Sequence, residues 1–218
     1  MADVVLEVDS VLHSYGERAI LSDIYLKCVP GDIVGLFGRN GVGKTTLFNI
    51  IFGTLKAERS FVRINGNVLT GKAYRSGLIS YLTQFDFLPR DFKVQTIVDL
   101  YVNDTSDFLE DNVLKKLSSC KVRDLSGGEL RYLQIKLMLH SSAPFVILDE
   151  PFKGLSPIII EEVRSQIITA SQNKGIILSD HNFREVHKVS NRLMLLSDCY
   201  LSEIKNMEEL LPYGYSLK

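Results

Sequence analysis

The 218 residues are 45% hydrophobic and 23% charged, the balance of an ordinary globular chain, which excludes a fibrous or extensively disordered protein. Lys and Arg number 25 against 26 Asp and Glu, so the broad basic footprint of a dedicated nucleic-acid binder is missing and no nucleic-acid partner is expected. The scattered Cys28, Cys120 and Cys199 form neither a zinc pattern nor a disulfide framework, and no apolar run reaches the roughly 20 residues that span a bilayer.

The opening segment MADVVLEVDS meets acids at Asp3 and Glu7 and lacks the basic start of a secretory signal. Val4, Leu6 and Val8 alternate as in a half-buried strand, and Ile20 to Cys28 reads as its antiparallel neighbour across a turn at Tyr15-Gly16-Glu17. After the Pro30-Gly31-Asp32 turn, Ile33 to Phe37 is a short apolar run, as expected of a strand buried on both faces. Glycines follow, then a helix over Lys44 to Phe52. Phe61 to Leu69 predicts a hairpin around Asn65-Gly66, and Leu78 to Leu82 another strand.

From 85 to 124 the period changes. Val94, Ile97, Val98 and Tyr101 have helical spacing, as do Phe108, Leu109, Val113, Leu114 and Leu117, so this stretch predicts a helical insert. Glu129 to His140 reads as a helix with Leu130, Leu133, Leu137 and Met138 on its inner side. Phe145 to Leu148 is a buried strand. Ser156-Pro157 predicts a helix start, with a capping hydroxyl before Pro at the first helical position, and Ile160, Val163, Ile167 and Ala170 form its inner face. Gly175–Leu178 (strand), Phe183–Val189 (helix), Arg192–Leu196 (strand) and Asn206–Leu211 (helix) complete the pattern. Strands alternating with helices predict an α/β core with a largely parallel sheet.

Three segments carry chemistry. Gly38-Arg39-Asn40-Gly41-Val42-Gly43-Lys44-Thr45 fits GxxxxGK[ST] and sits between an apolar strand and a helix, the context that such a phosphate loop requires. A polyphosphate must approach the main chain closely, so side chains at Gly38, Gly41 and Gly43 would obstruct it, while exposed N–H groups and the helix start face the anion. Lys44 adds a full charge near the terminal phosphates, and the Thr45 hydroxyl can ligate Mg²⁺. Next, Phe145-Val146-Ile147-Leu148-Asp149-Glu150 is an apolar strand ending in two acids. Asp149 is placed to hold Mg²⁺ and Glu150 to polarise an attacking water. Lastly, Leu125-Ser126-Gly127-Gly128-Glu129 precedes a helix, as either a main-chain anion site or a simple cap by Ser126.

Together these segments resemble the nucleotide-binding subunit of ATP-binding cassette (ABC) transporters, in the family's order. GRNGVGKTT at 38–46 corresponds to Walker A, Gln84 in YLTQ to the Q-loop, and LSGGE at 125–129 to the signature. FVILDEP at 145–151 corresponds to Walker B, GLSP at 154–157 to the D-loop, and His181 in SDHN to the H-loop. The wording of DEPFKGLSP and SDHN is most similar to the subgroup serving branched-chain amino-acid import and lipopolysaccharide export. The resemblance implies a P-loop NTPase (RecA-like) α/β core over 1–84 and 125–218, with an N-terminal antiparallel β-subdomain and a short helical subdomain at 85–124. It implies ATP and Mg²⁺ as cofactors. Residues Gly38 through Thr46, including Arg39, Asn40 and Val42, would bind the nucleotide. Tyr15 would stack on adenine, and Thr45, Gln84 and Asp149 would lie at the metal. Glu150, His181, Lys44 and Gln84 would be catalytic.

The same resemblance implies a head-to-tail homodimer, or pairing with a second cassette, in which Ser126, Gly127 and Gly128 act in trans. It further implies transmembrane permease subunits that hold the protein at the inner, cytoplasmic face of the membrane. The D-loop position usually held by Asp is Ser156 here, so altered coupling or slower hydrolysis is expected. The alternatives are a soluble non-transport ABC ATPase and a low-turnover ATP-gated scaffold; the zinc modules, coiled coil and second cassette of the former are not visible.

Overall fold

A computed structural model describes residues 4–69, 73–102, 108 and 111–215. β1 (Leu6–Tyr15) and β2 (Arg18–Cys28) pair antiparallel, and β4 (Arg59–Ile64) and β5 (Asn67–Val68) extend them into a four-stranded sheet of order β2-β1-β4-β5. Asn65 and Gly66 take φ of 52° and 76°, the pair of positive values that turns a tight hairpin.

The second sheet has six strands in the order β10-β9-β3-β8-β7-β6. β3 (Ile33–Phe37), β6 (Ile79–Leu82), β7 (Phe145–Asp149), β8 (Gly175–Ser179) and β9 (Arg192–Ser197) run parallel, and β10 (Tyr200–Ile204) closes one edge antiparallel. The apolar strands alternate between two cores. Ile33 and Phe37 of β3, with Val146 and Leu148 of β7, face the helical layer. Val34 and Leu36, with Phe145 and Ile147, face α1 (Lys44–Phe52) and the antiparallel sheet. A sheet covered on both faces explains why these runs are continuously apolar.

The helical layer comprises α4 (Gly127–His140), α5 (Pro157–Ser171) and α6 (Phe183–Val189). Residues 85–124 contribute α2 (Val94–Tyr101), α3 (Asn112–Leu117) and a 3₁₀ turn, and among the described residues no strand of either sheet. Within this layer the structure departs from the sequence pattern in four places. The spacing that begins at Phe108 breaks at Asp111, whose carboxylate caps α3 by accepting from Val113 N (2.8 Å) and Leu114 N (3.0 Å); Leu109 lies outside the described residues. α4 is buried all round rather than on one side, with Arg131, Gln134 and Lys136 as inaccessible as its leucines. Ser156 does precede α5 and its carbonyl takes the first helical bond from Ile160 N, but its hydroxyl makes no cap bond. The closing helix is a 3₁₀ segment, Met207–Tyr213, with buried Met207 and Leu210. No described helix is long and apolar enough to cross a membrane.

Candidate active site

The phosphate-loop sequence links β3 to α1. Gly38 has φ of 150°, and a Cβ there would lie 2.6 Å from the Leu196 carbonyl; at Gly43, with φ of 119°, a Cβ would lie 2.7 Å from Ile20 Cγ2. Only glycine fits either place. Gly43 caps α1 without a side-chain acceptor and no acid sits in the first turn, so the leading amides of the helix remain open to an anion. Lys44 folds back onto the loop, its Nζ 2.5 Å from Gly38 O and 3.2 Å from Arg39 O. Burial pushes its ammonium down from the usual lysine range, against the pull of Asp149 and Glu150.

The two acids stand at the exit of β7. Asp149 Oδ2 accepts from the Thr45 hydroxyl at 2.8 Å and the Tyr81 hydroxyl at 3.3 Å. Gln84 Nε2 lies between Thr45 Oγ1 (3.1 Å), Asp149 Oδ1 (3.4 Å) and Glu150 Oε1 (3.2 Å). Burial raises the Asp149 carboxyl, and its bonds from Thr45 and Gln84 offset this only in part. A cation beside it would relieve that strain. Hydroxyl and carboxylate oxygens such as those of Thr45 and Asp149 suit a hard ion such as Mg²⁺. The donor set therefore fits a Mg²⁺ that takes most of its ligands from phosphate and water. Gln84 turns its amide nitrogen to the acids here; ligation through its oxygen needs the amide turned over.

Glu150 has φ of 54°, and its carboxylate is held on both oxygens. Oε1 faces His181 Nε2 at 2.8 Å, and Oε2 pairs with Lys153 Nζ at 2.8 Å. Burial alone would raise Glu150, but Lys153 and His181 outweigh it and hold the acid below the usual glutamate range. Three more residues of this network escape the sequence pattern. Arg131 of α4 reaches into the site, donating to the carbonyls of Thr83 (2.7 Å), Asp149 and Glu150 (2.9 Å). Its helix also carries Glu129, Gln134 and Lys136, so the sequence alone did not set Arg131 apart. Asp180 accepts from the amides of Phe152 and Asn182, each at 2.8 Å, and so ties the turn after Glu150 to the segment carrying His181. Lys153 carried no signal, because its partner is defined only by the turn.

Lys44, Thr45, Gln84, Asp149, Glu150, Asp180 and His181 line one cleft of about 470 Å³, together with Asn40, Gly41, Gly43 and Thr46, while Tyr81, Arg131 and Lys153 support it without forming its wall. Tyr15 joins them from the end of β1, half-exposed and edge-on to His13, beside Arg18 and Ile20. Gly38, Arg39 and Val42 belong to the loop but not to the cleft wall. Ser126, Gly127 and Gly128 are also off the cleft, at the start of α4. There Ser126 and Glu129 form a reciprocal cap, with Ser126 N to Glu129 Oε2 at 2.8 Å and Glu129 N to Ser126 Oγ at 3.3 Å. A Cβ on Gly128 would sit 3.3 Å from Gly154 O, so this segment packs on the loop that follows the acid pair.

The family described as ABC transporter matches residues 21–153. The lipopolysaccharide export system ATP-binding protein LptB of Haemophilus influenzae is 30% identical over 211 residues, covering 88% of this chain and 86% of that protein. LptB of Acidithiobacillus ferridurans is 31% identical over 213 residues, covering 89% and 87%. A solved ATP binding subunit of an ABC transporter superposes with a TM-score of 0.84 over 96% of this chain and 93% of that one; at 22% identity, that likeness speaks for the fold alone.

Proposed function

The chain belongs to the ABC transporter family, as the ATP-hydrolysing subunit of a transporter, and on that premise we propose that its cleft hydrolyses ATP with Mg²⁺ as half of a head-to-tail homodimer. One observation carries this reading. Thr45, Gln84, Asp149, Glu150 and His181, drawn from four separate segments of the chain, are joined by direct contacts of 2.8–3.4 Å beside the loop.

In this reading Lys44 leaves the carbonyls of Gly38 and Arg39 for the terminal phosphates, and the first amides of α1 hold the same charge. Thr45 and Asp149 would hold Mg²⁺, which would neutralise charge building on the phosphate oxygens. Glu150 takes a proton from the attacking water as that oxygen bonds to the terminal phosphorus and the bond to ADP breaks. His181 keeps the Glu150 carboxylate oriented and faces the departing phosphate. Tyr15 stacks on the base. Ser126, Gly127 and Gly128 of a second copy cover the phosphates from the other side, with the N-terminus of α4 adding its positive end.

ABC ATPase subunits work with transmembrane partners. We assign residues 85–124 as the insert that meets such a partner and 1–84 with 125–218 as the ATP-binding core, at the inner face of the membrane. The lipopolysaccharide-export relatives make an export permease the first partner to test by co-purification from membranes. The decisive experiment on the site is Glu150→Gln. It should stop turnover while ATP binding persists, and a dimer should accumulate with ATP on size-exclusion chromatography; unchanged turnover would remove Glu150 from the base role.

A further inference from the structure

The last described stretch of the chain returns to the phosphate loop. The 3₁₀ segment Met207–Tyr213 ends at Gly214, whose φ of 89° reverses the backbone, and Tyr215 N then bonds back to Leu210 O at 3.3 Å. This turn aims the Tyr215 ring inward. Its phenol oxygen accepts the N–H of Gly38 at 2.8 Å. The ring stands edge-on to Phe37, with centroids 5.7 Å apart, and to Phe183, at 5.2 Å. One side chain thus touches the end of β3, the first residue of the loop, and the first residue of α6, which follows His181 and Asn182.

The Gly38 peptide explains why this contact matters. The parallel pairing of β3 with β9 ends at Phe37, opposite Leu195, so the Gly38 N–H is the first amide beyond the ladder. Its carbonyl is where Lys44 rests, and its α-carbon has no room for a side chain. A half-buried amide at this point needs an acceptor, and the polypeptide supplies one from 177 positions away.

We propose that Tyr215 is a positioning residue for nucleotide binding. Its hydroxyl fixes the Gly38 peptide and, through it, the carbonyl that stores Lys44. Its ring braces the loop against the segment carrying His181. Tyr215 touches no reacting group; it acts through Gly38, Phe37 and Phe183. The proposal rests on the reading of residues 38–45 as the ATP loop.

The test is Tyr215→Phe in the full chain, measured by steady-state ATPase kinetics and by titration with a fluorescent ATP analogue. Phenylalanine keeps the brace and deletes only the acceptor. The KM for ATP should rise roughly three- to tenfold, the loss expected for one hydrogen bond, with kcat changing by less. Tyr215→Leu, which removes the brace as well, should lower kcat too. Lys44→Ala serves as the control. If it leaves analogue binding intact, the loop reading itself fails. If it abolishes binding while Tyr215→Phe and Tyr215→Leu leave both KM and kcat unchanged, the loop reading stands and the Tyr215 proposal is overturned. A lowered melting temperature with unchanged kinetics overturns it equally, because that is the mark of a purely structural tyrosine.

Discussion

Helix α4 supports two clusters of charged and polar groups that are built on opposite plans. On one side, Arg131 braces the carbonyls behind Asp149 and Glu150, and the Glu150 carboxylate is held by His181 and Lys153, side chains that are 56% and 66% exposed. On the other, Asp111 accepts from Tyr132 and from Lys136 (2.8 Å), and Gln166 donates to the Tyr132 hydroxyl at 2.8 Å; Lys136 and Asp111 are 6% and 7% exposed. The first cluster has partners free to swing away, so its acids can exchange ligands. The second is closed, and fastens the start of α3 to α4 and α5. Partner exchangeability, rather than the presence of charge, separates a chemical site from a structural one.

The sharpest way to break this comparison is Glu150→Gln. Turnover should fall by about a hundredfold to ten-thousandfold, the usual worth of a general base, with the melting temperature nearly unchanged. Phosphate release and thermal melts on the same samples check both halves. A large loss of stability instead would mean that the cleft cluster is structural too.

Lys136→Met should do the reverse. It leaves the Asp111 carboxylate buried beside hydroxyl and amide donors without its cation, at a cost of about 3–5 kcal/mol, read from denaturant melts. Turnover per folded molecule should hold. Asp111 also gives the pH test. Burial would raise its carboxyl, but bonds from Lys136, Tyr132 and the Leu114 amide prevail and hold it below the usual range. A depressed acid contributes stability that is complete above its unfolded value, near 3.9, and is lost as pH falls through the folded one. The native chain should therefore lose stability on acidification below about pH 4 more steeply than Asp111→Asn does. Parallel slopes would refute the closed pair.

Arg131→Met probes the helix that joins the clusters. The carbonyls of Thr83, Asp149 and Glu150 lose a common donor, so a cost of about 1–3 kcal/mol is expected together with slower turnover, since Gln84 and Glu150 flank those carbonyls. Stability lost without any rate change would confine Arg131 to the fold.

Much of the cleft was legible in the sequence because its chemistry fixes residue types at fixed spacing. A loop turning at positive φ against the Leu196 carbonyl and the Ile20 side chain demands glycine at Gly38 and Gly43, and strands covered on both faces must read as apolar runs such as Ile33–Phe37. The groups that escaped are those whose partners lie far along the chain. Periodicity sees only apolar positions, so Arg131 and Lys136 passed as the polar side of α4. β10 was missed because it is an edge strand with only Ile204 buried, entered through a turn at Asp198 and Cys199 whose φ values of 49° and 70° normally call for glycine or asparagine. Tyr215 had no local pattern at all.

Ser156→Asp is the smallest change and cuts between fold and function most finely. Ser156 occupies the N-cap of α5, yet its hydroxyl makes no cap bond and the first turn holds no acid. An aspartate there brings both an acceptor and a negative charge to the helix start, each stabilising, so the melting curve should shift upward by about 0.5–1 kcal/mol. The same position lies two residues after Gly154, whose carbonyl packs on Gly128 of the signature segment. If the missing acid also tunes communication between two sites, Ser156→Asp will change the ATPase rate or its cooperativity in ATP. A higher melting temperature with both unchanged would confine Ser156 to the start of α5 and remove it from communication between the two sites of the proposed dimer.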